Sequence, residues 1–376
     1  MIKRIFSVVL VIIFGTSISH SQGIKNDWEN PDVVSVNTLP PYAYFTPYAS
    51  EAKALSGKQS SRVYSLDGMW KFHFSKRPAK RPVDFYKPTY DVSGWDSILV
   101  PSDWQMEGYD VPIYTDVEYP FNADKPPLID QDYKPVGSYR RTFTVPKEWK
   151  GESVYIHFGG VNSAFYVWIN GHKVGYSEGS KTPAEFDITP WIHSGKNIVA
   201  AEVYRFSDGS YMEDNDFWKV SGIERPVYLF ARPELHIADF YVHAGLDSIY
   251  QNGIFKLDIS LNDKPPVNDA FREMEIKILD DADNNKILYR QVTNIRNGQQ
   301  YFTFTDTLTN VRKWTAETPG LYTLVINQKN AKGKVLESIV RQIGFRTSEI
   351  RHGQLLVNGV AITIRGVNRH EHDPYT

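Results

Sequence analysis

Short alternating runs of apolar and polar positions dominate the chain after about residue 60. They are rich in β-branched and aromatic residues and are bounded by Gly, Pro, Asn or Asp, a pattern typical of β-strands. In the first half of the chain the clearest runs are Trp70–Phe74, Tyr139–Val145, Val154–Phe158 and Ala164–Ile169. Long helical periodicity is missing. The stretch from about Leu66 to Arg232 is therefore predicted to form a β-sandwich of the jelly-roll type.

The dipeptide Asn170–Gly171 is the strongest turn signal in this stretch. It separates Phe165–Ile169 from Lys173–Tyr176, and both of its residues tolerate a positive φ. We therefore predict a two-residue β-hairpin here.

A second set of strands follows Arg232–Pro233, which is predicted to mark a domain boundary. Their number and spacing suit an immunoglobulin-like sandwich of about 100 residues. The predicted strands are Ile237–His243, Ile254–Leu261, Met274–Leu279, Gln300–Phe304, Tyr322–Asn327 and Ile339–Phe345. The acidic segment Asp281–Asn285 is predicted to be a hairpin turn, because a calcium loop would need Gly where Lys286 stands and Glu where Val292 stands.

The two ends of the chain differ from its middle. Residues Trp28–Leu55 are rich in Pro and Tyr and are predicted to form an extended arm across the later domains. Near the other end, Asn358–Gly359 indicates a second hairpin, and the polar string Arg365–His372 follows it.

The first residues have the pattern of a signal peptide. Lys3 and Arg4 precede the apolar run Ile5–Phe14, which is far shorter than the ~20 residues that span a membrane. Small residues precede the expected cleavage after Ser21. The chain has no cysteine, so disulfides and a lipid-bearing cysteine are excluded. A soluble periplasmic or secreted protein is the expectation.

Composition adds little to this picture. A formal net charge of -2 favours neither nucleic acid nor an anionic membrane as a partner. Aromatic residues make up 14% of the chain, which suits surfaces that stack on sugar rings but also suits ordinary β-sheet cores. On composition alone, the second interpretation is favoured.

Two polar segments could carry chemistry. The segment Ser207–Trp218 holds four acids, and it is equally compatible with a cation site beside a sugar pocket and with a solvated acidic loop. His370 and His372 would share one face of an extended chain. A third metal ligand is not evident nearby, so a hydrogen-bonding role is favoured over a metal site.

Several long motifs resemble glycoside hydrolase family 2, and within it the bacterial β-galactosidases. The resemblance runs from about Trp28 to the last residue. The segments that carry it are Ser102–Tyr109, Pro112–Pro120, Gly160–Phe165, Gly209–Trp218 with Ser221–Ile223, and Arg365–His372.

The resemblance implies a domain order. After the signal peptide (1–21) and the arm (22–57), which the residue pattern predicts, it implies a jelly-roll sugar-binding domain (58–232), an immunoglobulin-like sandwich (233–346) and the start of a TIM barrel (347–376). The expected fold class is therefore mainly β, with the first strand of an incomplete barrel. The string after Arg365 would leave the C-terminal end of that strand, the face where barrel active sites lie.

The resemblance also implies roles for three residues. His370 would contact the galactosyl group, Asp216 would bind a sodium ion and a sugar hydroxyl, and Asp116 would lie at the pocket edge. Asp116 stands where the family most often has asparagine, which puts its hydroxyl contact in doubt. The expected cofactors are sodium and magnesium, with the magnesium ligands outside this chain.

Retaining hydrolysis requires an acid/base and a nucleophile, and in this family both are glutamates on later barrel strands. The resemblance places them beyond Thr376, so no residue of this chain is predicted to be catalytic. Glu371 and Asp373 are not substitutes, because their neighbours match the sugar-contacting loop. The chain alone is expected to be inactive, and the full-length parent is expected to be a homo-oligomer.

Alternatives remain open. The chain could be part of a β-galactosidase, a non-catalytic galactoside-binding module or an inert remnant, and related enzymes act on β-glucuronides and β-mannosides. A lone barrel strand lacks neighbours for its hydrogen bonds. Residues 347–376 are therefore expected to be poorly ordered and to be dispensable for thermal stability.

Overall fold

The computed structural model describes residues 26–262, 272–296, 298–369 and 373. The predicted signal peptide and His370 lie outside these residues. The fold is mainly β, as the sequence predicts. Within the described residues, no helix is both long and apolar enough for a membrane span.

Two sheets face each other in the first sandwich. One has the strand order β1-β11-β10-β13-β7-β3-β4 and the other β12-β8-β16-β2. In chain order the strands of this half, including the small sheets described below, are β1 (Ser35–Val36), β2 (Val63–Ser65), β3 (Gly68–Ser75), β4 (Asp96–Val100), β5 (Ser102–Asp103), β6 (Ile113–Thr115), β7 (Val136–Thr144), β8 (Ser153–Phe158), β9 (Val161–Asn162), β10 (Ala164–Ile169), β11 (His172–Glu178), β12 (Ala184–Asp187), β13 (Lys196–Tyr204), β14 (Phe217–Lys219), β15 (Gly222–Ile223) and β16 (Val227–Arg232).

The core of this sandwich is aromatic and aliphatic, and its central strands β8 and β10 are buried along their whole length. Trp70, Phe72, Phe158 and Phe186 are among the fully buried side chains. The predicted hairpin is confirmed: Ile169 pairs with His172, and the turn residues Asn170 and Gly171 have φ of 51° and 90°.

The second sandwich packs the sheet β17-β18-β21 against the sheet β20-β19-β22-β23. Its strands are β17 (Ile237–Leu246), β18 (Gly253–Leu261), β19 (Arg272–Asp280), β20 (Lys286–Ile295), β21 (Tyr301–Leu308), β22 (Tyr322–Asn330) and β23 (Val335–Ile343). The turn predicted at 281–285 joins β19 to β20, as expected. Strand β20 itself was missed, because most of its residues are exposed and its apolar positions do not alternate cleanly.

The arm contacts both sandwiches. Trp28 stacks on Tyr204 with ring centroids 4.0 Å apart, and β1 extends the larger sheet of the first sandwich by pairing with β11. Further along, the helix α1 (Glu51–Leu55) packs on β23 of the second sandwich, where Glu51 accepts a hydrogen bond from the Lys277 ammonium at 2.5 Å. Short 3-10 helices span Asp27–Glu29, Pro78–Lys80, Lys147–Trp149, Thr189–Trp191 and Asp208–Tyr211.

The expectation of a poorly ordered tail is wrong for its first part. Strands β24 (Ser348–Arg351), β25 (Gln354–Val357) and β26 (Val360–Ala361) form a three-stranded sheet. Asn358, in the predicted Asn–Gly turn, is buried and accepts a hydrogen bond from the Thr347 N–H, while its own amide donates to the Trp314 carbonyl. The hairpin thus supplies its own neighbours. Beyond Ala361, residues 362–369 are exposed and the predicted barrel strand does not form there.

Candidate functional site

Strands β6 and β14 form a two-stranded ribbon that carries two of the predicted site residues. Phe217 pairs with Thr115 in an antiparallel register, so Asp216 directly precedes the pairing and Asp116 directly follows it. Both carboxylates therefore lie at the same end of the ribbon, and both are exposed. The ribbon thus brings together two residues that are a hundred positions apart in sequence.

A tyrosine holds the Asp216 carboxylate. Tyr114, in the middle of β6, donates a hydrogen bond from its hydroxyl to Oδ1 of Asp216. The Tyr114 ring is itself fixed against Trp218 of β14 in an edge-to-face contact, with centroids 5.3 Å apart. The ribbon therefore presents a carboxylate whose orientation is set by its own aromatic residues.

The four acids of the Ser207–Trp218 segment do not form one cluster. Asp208 is buried beside Glu178, and Glu213 accepts hydrogen bonds from the Ser180 backbone N–H at 2.8 Å and from the Ser180 hydroxyl. Asp214 lies 2.8 Å from the Lys219 ammonium, and Asp216 lies at the ribbon end. No group of three acids or histidines able to hold a metal occurs among the described residues. The segment is therefore not simply a solvated acidic loop, and the cation site at Asp216 stays a prediction.

Two carboxyl pairs, Glu178 with Asp208 and Asp103 with Glu224, each contain a group with a raised pKa. Burial, together with repulsion from the neighbouring Asp208, raises the pKa of Glu178 to about 8. Burial also raises the pKa of Asp103 to about 7, with a contribution from Glu224, while the Lys181 ammonium opposes the shift. Lys181 contacts Glu224 at 2.5 Å. Glu178 and Asp103 therefore hold a proton more readily than ordinary carboxyl groups do.

A cleft of about 150 Å³ lies behind the ribbon. Phe121, Phe206 and Trp218 give it apolar walls, while Asn162, Ser180 and Glu213 contribute polar groups. An apolar surface with a few fixed polar groups is typical of sugar-binding sites. The ribbon-end carboxylates Asp116 and Asp216 are not among its lining residues, so the cleft and the predicted pocket edge are adjacent but distinct.

Arg205, which contacts both the ribbon and the cleft, is a further residue of this region that the sequence pattern does not single out. Its buried guanidinium contacts Asp110, the Tyr133 hydroxyl at 2.8 Å and the carbonyls of Val111 and Lys219 at 3.0 and 2.9 Å. The available signal was its place directly after the buried strand β13, since arginine is almost never fully buried without partners.

Comparisons with known proteins agree with the resemblance seen in the sequence. Residues 63–233 match the family described as "Glycosyl hydrolases family 2, sugar binding domain", and residues 235–346 match "Glycosyl hydrolases family 2". A protein of Priestia megaterium named β-galactosidase is 44% identical over 356 residues, which is 92% of this chain and 34% of that protein. One of Vibrio cholerae with the same name is 39% identical, over 93% of this chain and 34% of its own length. The chain thus spans about a third of these relatives.

Solved structures with less sequence similarity share the fold. A crystal structure of Bacteroides uniformis β-glucuronidase superposes with a TM-score of 0.66 at 23% identity, covering 82% of this chain and 35% of that one. Bifidobacterium dentium β-glucuronidase gives a TM-score of 0.63 at 19% identity, covering 81% of this chain and 51% of that one. At these identities the likeness concerns the fold alone.

Proposed function

Because the chain belongs to glycoside hydrolase family 2, we propose that it forms part of a retaining β-galactosidase that hydrolyses terminal β-D-galactosides. Its contribution is one edge of the galactoside site. The observation that carries the proposal is the ribbon, which places Asp116 and Asp216 side by side at an exposed end next to an aromatic cleft.

The residues of this chain bind and orient the sugar, and the bond-breaking carboxylates are supplied by the barrel. A retaining mechanism uses one carboxyl group as acid/base and a second as nucleophile, about 5 to 5.5 Å apart. Asp216, with its carboxylate fixed by Tyr114, accepts a hydrogen bond from a sugar hydroxyl. His370 would contact the same galactosyl group from the string after Arg365.

The ribbon end also suits one ligand of a sodium ion. Carboxylate oxygens are suitable ligands for a hard cation, and Asp216 offers them at an exposed position. No group of three His, Cys, Asp or Glu side chains able to hold a metal occurs in the described part of the chain, and we propose that ligands from elsewhere in the enzyme complete the coordination. A bound sodium would supply positive charge that orients sugar hydroxyls.

Asp116 and the cellular context complete the proposal. A carboxylate at position 116 can only accept hydrogen bonds, whereas the asparagine common in the family also donates. Asp116 therefore alters cation affinity or sugar selectivity. We also propose export through a signal peptide cleaved after Ser21, a homo-oligomeric parent enzyme and magnesium ligands outside this chain.

A graft tests the substrate assignment. Residues 28–376 replace the matching third of the Priestia megaterium relative, and the graft is assayed on chromogenic β-galactoside, β-glucuronide and β-mannoside. The β-galactoside should be hydrolysed fastest. In the graft, Asp216→Asn should raise KM about tenfold or more, because one charge-assisted contact to the sugar is lost. The same variant should also weaken the activation by sodium. Asp132→Asn, which changes an exposed acid of the same sandwich, is the matched control.

The other outcomes separate the alternatives. A folded graft that prefers the glucuronide or mannoside contradicts the substrate assignment. The chain alone should not turn over β-galactoside above a heat-killed control, and turnover there would require a catalytic carboxylate such as Glu371 within it. If the chain alone binds galactoside tightly without turnover, the non-catalytic binding module becomes the better description.

A further inference from the structure

The β6–β14 ribbon has little intrinsic support. It is three residues long on each side and forms a two-stranded sheet of its own in the described part of the chain. Isolated two-stranded ribbons are at best marginally stable in water. Whatever fixes the base of this ribbon therefore decides where its other end lies.

Arg205 is bound to both strands at that base. One guanidinium nitrogen, Nη2, donates to the carbonyl of Val111, two residues before β6, and to the carbonyl of Lys219, the last residue of β14. Ile113 pairs with Lys219, so both contacts fall at the end of the ribbon opposite to Asp116 and Asp216. At 3.3–3.4 Å per residue the carboxylates lie roughly 10 Å further along.

The other side of the guanidinium is held rigidly. Nη1 contacts the Asp110 carboxylate and the Tyr133 hydroxyl, and that hydroxyl in turn donates to Asp110 at 2.9 Å. Arg205 directly follows β13, a central strand of the larger sheet. The ion pair with Asp110 balances the charge of Arg205. Because the Arg205 side chain is buried, its hydrogen bonds are shielded from water.

From this geometry we propose that Arg205 is a positioning residue for the galactoside site. Its planar guanidinium fixes the base of the ribbon relative to β13, and the ribbon in turn determines the positions of Asp116 and Asp216. The proposal deepens the proposed function and rests on it for the identity of the ligand. Lysine cannot replace the fork, because one ammonium cannot hold two carbonyls and a carboxylate in a single plane.

Hydrogen exchange of the full chain, followed by mass spectrometry, tests the anchor without requiring activity. Arg205→Lys should speed exchange of the amides of residues 113–119 and 215–219 by about tenfold, the effect of losing one charge-assisted hydrogen bond. Arg140→Lys is the matched control. The Arg140 guanidinium is also buried in this sandwich and donates to the carbonyls of Phe85, Lys87 and Tyr90. The variant Arg140→Lys should therefore leave hydrogen exchange in the ribbon unchanged.

A milder variant keeps the test decisive if Arg205→Lys loosens the whole sandwich. Tyr133→Phe removes one guanidinium partner and retains both carbonyl contacts, so it should speed exchange in the ribbon by a smaller factor and leave the sheets unchanged. Unchanged ribbon exchange in Arg205→Lys overturns the proposal. The proposal is also overturned if Arg205→Lys speeds exchange throughout the sandwich while Tyr133→Phe leaves exchange in the ribbon unchanged.

Kinetics of the graft test the consequence for the site. Arg205→Lys should raise KM for the galactoside and the sodium concentration for half-activation about tenfold, with a smaller change in kcat, and Arg140→Lys should change neither. Faster ribbon exchange with unchanged kinetics overturns the positioning role. If the unmodified graft has no β-galactosidase activity, the proposed function fails, while the exchange comparison still decides whether Arg205 anchors the ribbon.

Discussion

Replacing Glu337 by glutamine should strongly destabilise the contact between the two sandwiches. Arg232, the last residue of β16, binds Glu337 of β23 through two parallel hydrogen bonds, Nε to Oε1 and Nη2 to Oε2, each 2.8 Å long. The side chains are only 3% and 0% exposed. Removing the negative charge leaves the guanidinium buried without its counter-ion.

The size of the effect follows from this burial. Breaking a buried ion pair by removing one partner costs about 3–5 kcal/mol. Glutamine keeps one acceptor oxygen, so we expect about 3 kcal/mol, which corresponds to a melting temperature lower by roughly 6–12 °C. The exposed pair Arg77–Asp132 is the control, with side chains 49% and 88% exposed. Asp132→Asn should change the free energy of unfolding by less than about 0.5 kcal/mol.

The pH dependence gives a second signature. Burial raises the pKa of Glu337, but attraction and hydrogen bonds from Arg232 outweigh it and leave the pKa below its usual value. The folded-state pKa is thus lower than that of the unfolded chain. The pair stabilises the protein above the unfolded-state pKa, and this contribution is lost as pH falls through the folded-state pKa. The difference between wild type and Glu337→Gln should therefore shrink in acid.

Thermal melts followed by circular dichroism at pH 7 and pH 4 measure both effects. The double variant Arg232→Met with Glu337→Leu should be more stable than Glu337→Gln, because it removes both desolvated charges. A Glu337→Gln variant that unfolds within about 1 kcal/mol of wild type at pH 7 would refute the reasoning.

Three further outcomes are expected from the structure. The folded-state pKa of Asp103 is raised to about 7, so its protonated form stabilises the protein below the unfolded-state pKa, and this contribution is lost as pH rises through 7. The melting temperature should therefore fall between pH 5 and pH 8, and Asp103→Asn should make that fall smaller. An unchanged fall in the variant would count against the carboxyl pair. Truncation after Ala361 should leave the melting temperature unchanged, whereas truncation before Thr347 should lower it by several degrees because the buried Leu356 is lost. Equal melting temperatures for the two truncated forms would restore the expectation of a dispensable tail. Gly175→Ala would bring its Cβ against the Val36 carbonyl of the arm and within 2.5 Å of the Phe186 ring. The free energy of unfolding from a thermal melt should therefore fall by about 1–3 kcal/mol. A wild-type melting temperature would show that the arm can move aside.

The sequence alone was sufficient for the local and repetitive features. The two Asn–Gly turns form as predicted, because a positive φ at both residues is a preference of those residue types. The strands with clean alternation were predicted within a few residues. The family motifs single out Asp116 and Asp216, which lie at the same end of the β6–β14 ribbon, and their binding roles stay predictions. Strand β20 was missed because its hydrophobic pattern is weak.

Only the tertiary structure decided the contacts between distant segments. Arg205 meets Asp110 across 95 positions and Arg232 meets Glu337 across 105, and nothing in the local sequence of either arginine indicates its partner. The same holds for the tail, where Asn358 is fixed by Trp314 and Thr347 rather than by the strand pattern around it. Hydrophobic periodicity reports which face of an element is buried. It does not report which buried polar groups meet, because that depends on how the sheets pack.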